Sequence, residues 1–388
     1  MSAIASKCNN YNIKLYLKMK KDLYLGWVLV FAILFSSSAN CQTARLYVGK
    51  YAKEGEKGLH IIDVDFAKGT FNPVSENDAG NNPSYFCISK KRSLIYAVNE
   101  VGRVNGVRGG GLTTLKLDVK TGSTEKIKEM AVPNGGPCYI SLSPAEDFIL
   151  IANYGGGSVA VVRLDADGVP SEVSDTIMFK GEAGTRSRAH MIAPGPDGKK
   201  IYLTDLGLDR VAIYDLDQVS GKLINTGYAK LAKGAGPRHF AFGKDGSKMY
   251  VINELNSTLT VFNVEKTGDL KELQTLSTLP QGFSEKSFCA DIHVAKSGKF
   301  VYGSNRGHNS IVTFKIESDG KLTLAGHTSC GGEWPRNFVL DPSGKYLLAG
   351  NQNSGNISLF SLDKKTGLPL LPAKDYKIAS PSCLKFIE

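Results

Sequence analysis

Side chains able to move protons or hold anions cluster in a few short stretches of this 388-residue chain. His190 follows Ala189, Arg238 and His239 follow Gly236-Pro237, and Arg336 follows Pro335. Glu254 follows Asn253, and Arg306 follows Asn305. Imidazole and carboxylate groups can exchange protons with water or substrate near neutral pH. Guanidinium forks match the paired oxygens of a carboxylate or phosphate. Gathered at one place, these groups would suit acid–base chemistry on a small anionic molecule. Other chemistries lack their motifs. There is no Gly-x-Ser-x-Gly nucleophile elbow, and no His-Glu-x-x-His or Cys/His spacing for a metal. Gly109-Gly110-Gly111 and Gly155-Gly156-Gly157 lack the strand-to-helix setting and the Lys of a phosphate loop, and read as hairpin connections. No metal or organic cofactor is required.

What could gather these residues is an internal repeat. A short apolar strand ending in Asn or Asp returns along the chain. Its copies are Ile95–Asn99, Leu150–Asn153, Tyr202–Asp205, Tyr250–Asn253, Tyr302–Asn305 and Leu348–Asn351, with a weaker copy at Tyr47–Lys50. The copies end 46 to 54 residues apart. Each is preceded by another apolar strand, starting near Pro83, Pro137, Ala189, Pro237, Ala290, Pro335 and Pro381. Turns such as Pro196-Asp197-Gly198-Lys199 join the two. A third strand and a more polar fourth follow in each unit. Four-stranded antiparallel sheets of this kind bury both faces only when stacked radially. The last unit stops after its first strand, 382–387, and the first unit lacks that strand. The expectation is an all-β, seven-bladed β-propeller, its ring closed by the C-terminal strand pairing with the N-terminal ones, which would hide exposed edges.

In such a blade the first strand lines the central channel and runs antiparallel to the second. Strand-one starts therefore lie beside strand-two ends, at one mouth of the channel. That mouth would collect His190, Arg238, His239 and Arg336 with Glu100, Tyr154, Asp205, Asn253, Glu254, Asn305, Arg306, Asn351 and Gln352. Plainer readings stand beside this one. The repeating Asn or Asp can cap a turn through backbone hydrogen bonds. Asp205 can pair with an Arg, Arg238 with Glu254, and His190 can be a hydrogen-bonded rim histidine. Arg306 has no acidic neighbour in its own Ser-Asn-Arg-Gly-His run, which favours anion binding there.

The first 41 residues read differently from the rest. Lys14, Lys18, Lys20 and Lys21 precede an apolar run, 23–35, and then Ser36, Ser37, Ser38 and Ala39. That is the order of an export signal, too short for a membrane span, with Met19 as a second candidate start. Cleavage after Cys41 would release a soluble 42–388 domain; cleavage before it would leave a lipid-modified Cys41. The formal charge of +10 falls to about +6 without the leader's five Lys and one Asp. No basic block appears, so nucleic acid is not an expected partner; a modest positive field suits a small anion. Cys87, Cys138, Cys289, Cys330 and Cys383 are an odd, widely spaced set and read as buried structural thiols.

At these motifs the sequence resembles the seven-bladed lactonase family, whose members include propeller-type 6-phosphogluconolactonase and carboxy-cis,cis-muconate cyclase. The resemblance rests on Ala189-His190, Gly236-Pro237-Arg238-His239, Asn253-Glu254-Leu255, Ala290-Asp291-Ile292-His293, Ser304-Asn305-Arg306-Gly307-His308 and Pro335-Arg336. It implies an active site of His190, Arg238, Glu254 and Arg306 at the channel mouth. The implied reaction is hydrolysis of a small anionic sugar-type lactone, with Glu254 or His190 as general base. Arg238 would stabilise the oxyanion, Arg306 would hold the substrate's anionic group, and Arg336 would be a second anchor. His239, Asp205, Asn253, Asn305, Asn351 and Tyr154 would complete the substrate surround. A lactonising cyclase or isomerase, or a propeller that only binds an envelope ligand or partner, are the alternatives.

Overall fold

The second strand of each unit is apolar on both faces, and this pattern sets the architecture. Phe148–Asn153 and Leu94–Asn99 are buried along their whole length, as strands are when both faces of their sheet are covered. The outermost strands, such as Leu223–Lys230, are largely exposed. The computed structural model describes residues 43–387 apart from 54, 183 and 372. The proposed leader, Cys41 and the Met19 start lie outside the described residues. Within them are seven four-stranded antiparallel sheets, and no helix. The inner strand of each sheet touches the inner strands of both neighbours, and the circuit closes from Pro381–Phe386 to Tyr85–Ser89. The chain is thus a seven-bladed propeller.

Ring closure follows the expectation. Thr43–Lys50 pairs antiparallel with Pro381–Phe386, Leu46 opposite Phe386 and Val48 opposite Leu384. The Ser382 hydroxyl also donates to the Gly49 carbonyl at 3.1 Å. Neighbouring blades are joined by a repeated tyrosine in the second strand. Tyr96, Tyr202 and Tyr302 are buried, and their hydroxyls donate to the carbonyls of Gly168, Gly268 and Gly367 in the next blade at 2.7–2.9 Å. Those glycines sit at φ of 83°, 87° and 74°, a conformation that β-carbons disfavour.

Two expectations need correction. The inner strands of the second and sixth blades start at Tyr85 and Phe288, not at Pro83 and Ala290. Gly109–Gly111 is not a hairpin connection: Gly110 and Gly111 open the third strand of blade two, Gly110–Leu117. A β-carbon on Gly111 would come within 2.7 Å of Asn99 Cβ, so close packing explains that glycine. The actual connection is an extra two-stranded hairpin, Arg103–Val104 with Val107–Arg108. The five cysteines named above are all buried and unpaired, as expected; burial pushes the Cys87, Cys138, Cys289 and Cys330 thiols up to about 12.

Candidate active site

A backbone irregularity gathers the ionisable groups. In blade five Pro237 faces Asn253 but His239 faces Ile252, so Arg238 is an extra, unpaired residue. The same shift leaves His190 unpaired in blade four and Arg336 in blade seven. It leaves Cys138 unpaired in blade three and Ser382 in blade one. Blade six carries a comparable shift between Cys289 and Ile292. Such bulges turn a side chain away from the regular alternation of a strand. Here they occur near the channel-lining start of the inner strand in every blade but the second, so His190, Arg238 and Arg336 meet at one mouth.

Strand-two ends supply the rest. Successive residues of an extended segment point to opposite faces, and Glu254 and Arg306, each directly after a repeated Asn, turn back to the channel. Glu254 Oε2 lies 2.9 Å from Arg238 Nε and 2.9 Å from Arg306 Nη2. Both arginines are nearly buried, whereas the Glu254 side chain keeps 16% of its surface. Arg238 Nη1 also donates to the Ala290 carbonyl at 2.5 Å, and Arg306 Nη2 to the Cys289 carbonyl at 2.9 Å. Burial and the nearby Arg238 charge bring Arg306 down to about 10. Arg336 stacks over Tyr51 at 5.3 Å, and the Tyr51 hydroxyl donates to Glu100 at 2.8 Å. His190 lies edge-on to Tyr154 and to His239, with centroids 5.7 and 5.1 Å away. Its Nδ1 is buried without a partner. Burial, then the charge of Arg238, hold His190 well below the usual histidine range. The imidazole is therefore neutral at pH 7.

One layer deeper lies a buried polar network. His239 Nδ1 is 2.7 Å from Asp291 Oδ1, and its Nε2 is 3.4 Å from Arg238 Nη1. The donor pattern is consistent only with an imidazole that gives its Nδ1 proton to the carboxylate and accepts from the guanidinium. Asp291 also accepts from Asn337 Nδ2 and the Phe338 amide, and meets His293 Nε2 at 3.1 Å. Burial would raise Asp291, but His293 and His239 outweigh it and keep the carboxyl ionised far below its ordinary range. His239 itself is lowered to about 4, by burial first and by Arg238 second.

A pH dependence of stability follows. Unfolded histidines take up a proton near pH 6.5, but folded His190 and His239 do not until lower pH. Their contribution is complete above about pH 6.5 and is lost as pH falls toward their folded values. Between pH 6.5 and 5, above most carboxylate titrations, His239 is expected to cost about 2 kcal/mol, and His190 acts in the same direction. Denaturant midpoints measured across that window check this, and the slope should shrink in His239→Gln.

The structure draws some expected site residues away from the mouth. Asp205 makes no ion pair among the described residues: Ser187 Oγ donates to it at 2.6 Å, and the amides of Arg188, Gly207 and Leu208 surround its other oxygen. The Asn253 amide donates to Thr258 and Thr260, Asn305 to the Thr278 carbonyl and Ser310, and Asn351 to the Cys330 carbonyl and Ser358. These four are scaffold rather than substrate surround: each faces away from the channel and holds its own turn or the linker from the preceding blade. His239 sits beneath the mouth. Tyr154 stays at it, half-buried beside His190 and under Arg188 at 4.8 Å. Sequence reasoning did not assign Asp291, Tyr51 or Trp334. Asp291 lay within a quoted motif; Trp334, 5.4 Å from the Arg306 guanidinium, was signalled only by standing where Gly136 and Gly236 stand in other blades. Among the described residues, no group of three or more His, Cys, Asp or Glu could hold a metal ion.

A closed seven-bladed ring with one mouth lined by arginine, histidine and glutamate defines a propeller-type hydrolase scaffold. The chain belongs to the family described as lactonase, 7-bladed beta-propeller, whose model matches residues 45–386. The 6-phosphogluconolactonase of Bacillus subtilis (strain 168) is 32% identical over 349 residues, covering 88% of this chain and 98% of that protein. The 6-phosphogluconolactonase of Formosa agariphila is 31% identical over 335 residues, covering 83% of this chain and 93% of its own length. The solved periplasmic gluconolactonase of Pseudomonas aeruginosa superposes with a TM-score of 0.83 at 30% identity, covering 89% of this chain and 99% of that one. The chain is a lactonase-type hydrolase.

Proposed function

We propose that the protein hydrolyses a small, anionic, sugar-type lactone of the 6-phosphogluconolactone kind at the mouth formed by His190, Arg238, Glu254, Arg306 and Arg336. The observation that carries this reading is the Glu254 carboxylate held between Arg238 and Arg306 at the mouth that the buried His190 shares. Water adds to the lactone carbonyl carbon as His190 accepts one of its protons. The oxyanion that develops faces a guanidinium, Arg238, in a water-poor site where such charge is worth most. Collapse of the adduct breaks the ring C–O bond. The ring oxygen takes the proton back from His190, and the products are a hydroxyl and a carboxylic acid, which ionises. Glu254 sets the position and charge of both arginines. Arg306 and Arg336 hold the substrate's own carboxylate or phosphate, and Tyr154 borders the ring.

The leader-like first 41 residues, together with a relative described as periplasmic, support action outside the cytoplasm, as a released protein or one anchored through Cys41. No described helix is long and apolar enough to cross a membrane. A pH-stat assay over sugar δ-lactones, with and without a phosphate or carboxylate, and over muconolactone tests the function. Proton release fastest with an anionic sugar lactone is expected. Hydrolysis of none of them, with retained binding of the open acids, would reject it in favour of a binding module. Turnover of muconolactone alone would favour the cyclase reading.

A further inference from the structure

Trp334 occupies a position where a bulky residue is strained. Its φ is 65°, and it directly precedes Pro335 at the entry to the seventh blade's inner strand. The corresponding residues of blades three and five are Gly136 and Gly236, at φ of 63° and 65° before Pro137 and Pro237. A side chain in this left-handed region costs on the order of 1 kcal/mol or more, and such strain persists where the surroundings over-determine it. Here Asn309 Oδ1 accepts the Trp334 amide proton at 2.9 Å, and Gln352 donates its amide to the Trp334 carbonyl at 3.0 Å. The indole these bonds fix in place lies under the Arg306 guanidinium, 5.4 Å from ring centroid to Cζ, with Phe288 edge-on at 6.2 Å. It remains half-buried at the channel mouth.

We propose that Trp334 is a positioning residue: its ring backs Arg306, holding the guanidinium plane toward Glu254 and the incoming anion and keeping bulk water from its outer face. The aromatic face suits this task because guanidinium stacks on indole without losing its in-plane donors. Glycine, the unstrained choice, could not do it. The assignment rests on the reading of Arg306 as the anion anchor, so the test includes a signal that needs no turnover. The sequence holds two tryptophans, Trp27 and Trp334. In the full chain carrying Trp27→Phe, Trp334 is the sole indole, and its emission reports on the mouth directly.

Titration with 6-phosphogluconate is expected to give a saturable change in Trp334 emission that Arg306→Met abolishes. In the kinetics, Trp334→Leu should raise KM for an anionic lactone about three- to tenfold, the range a cation–π contact of this kind spans. Its kcat should stay within about twofold and its Tm within a few degrees, and Trp334→Phe should restore most of the affinity. Two results with the Trp334 variants would overturn the proposal: unchanged KM and acid affinity in Trp334→Leu, or equal losses in Trp334→Phe and Trp334→Leu that track a falling Tm, which is the mark of a purely structural residue. If no lactone is turned over, the emission response and its dependence on Arg306 still decide the Trp334–Arg306 link, separately from the proposed reaction. An emission signal indifferent to Arg306 would sink it.

Discussion

His190→Gln is expected to lower kcat by about 100- to 10,000-fold, the range in which a positioned general base contributes, while KM moves less than about threefold. The expectation has three parts. The imidazole lies at a bulge that turns it to the mouth. It is neutral at working pH because burial and Arg238 disfavour its charged form. Its Nδ1 is buried with no hydrogen-bond partner, so no scaffold bond fixes the tautomer, and Nε2 is the nitrogen assigned to take the proton. Glutamine keeps polarity and much of the volume but cannot take a proton. The pH profile separates this from a packing defect. In the wild type, activity should persist below pH 6 and fall only as pH drops through the lowered pKa of His190, because protonation removes the base. That acid limb should vanish from the residual activity of the variant. A pH-stat measurement of kcat and KM from pH 4.5 to 8 checks it; a kcat within tenfold of wild type would reassign the proton transfer, with Glu254 the next candidate.

The second large effect concerns charge rather than proton transfer. Glu254→Gln is nearly isosteric but removes the negative charge that Arg238 and Arg306 share at 2.9 Å. Two nearly buried guanidiniums then face each other without a counter-charge, an arrangement that destabilises its surroundings. Their positions relax away from the point where the oxyanion would form. kcat is expected to fall about 100- to 1,000-fold, comparable to the loss of an oxyanion-stabilising group. Affinity for the open acid should hold or rise, because an anion can take the place of the missing carboxylate. Tm should drop by a few degrees and recover in part when phosphate is added. Calorimetric titration with the acid, set beside the kinetics, distinguishes this from simple unfolding: weaker acid binding together with unchanged kcat would contradict the role given to Glu254.

Much of the architecture was legible because the physics repeats. A second strand buried on both faces must be apolar, and its end must satisfy a turn, so each unit announces itself as an apolar run closed by Asn or Asp. The incomplete first and last units made ring closure readable in the same way. The four residues proposed as the core of the candidate site were named from the resemblance together with the rim geometry. The misassigned strand-end residues have one cause. A strand alternates its faces, so neighbouring residues at the strand-two end have opposite fates: Asn253 turns outward to Thr258 and Thr260, whereas Glu254 turns inward to Arg238. Asn305 and Arg306 divide in the same way. Treating the whole strand end as mouth therefore enrolled Asn253, Asn305, Asn351 and Asp205. The bulges that aim His190, Arg238 and Arg336 leave no mark in residue type, since an extra residue in a strand is visible only once its partner is known. Asp291 stayed unassigned for that reason: the sixth blade's shift falls between Cys289 and Ile292, and only the register brings its carboxylate beneath His239.

The central claim is that four blades deliver His190, Arg238, Arg306 and Arg336 to a single pocket that binds an anionic lactone. The most direct measurement is a crystal structure with the open acid of such a lactone, for example 6-phosphogluconate, soaked in. The expected density lies at the mouth, with one anionic group on Arg238 beside His190 and the other on Arg306 or Arg336. Acid bound instead in the separate pocket that Lys385 and His293 line together, with this mouth left to solvent, would contradict the account.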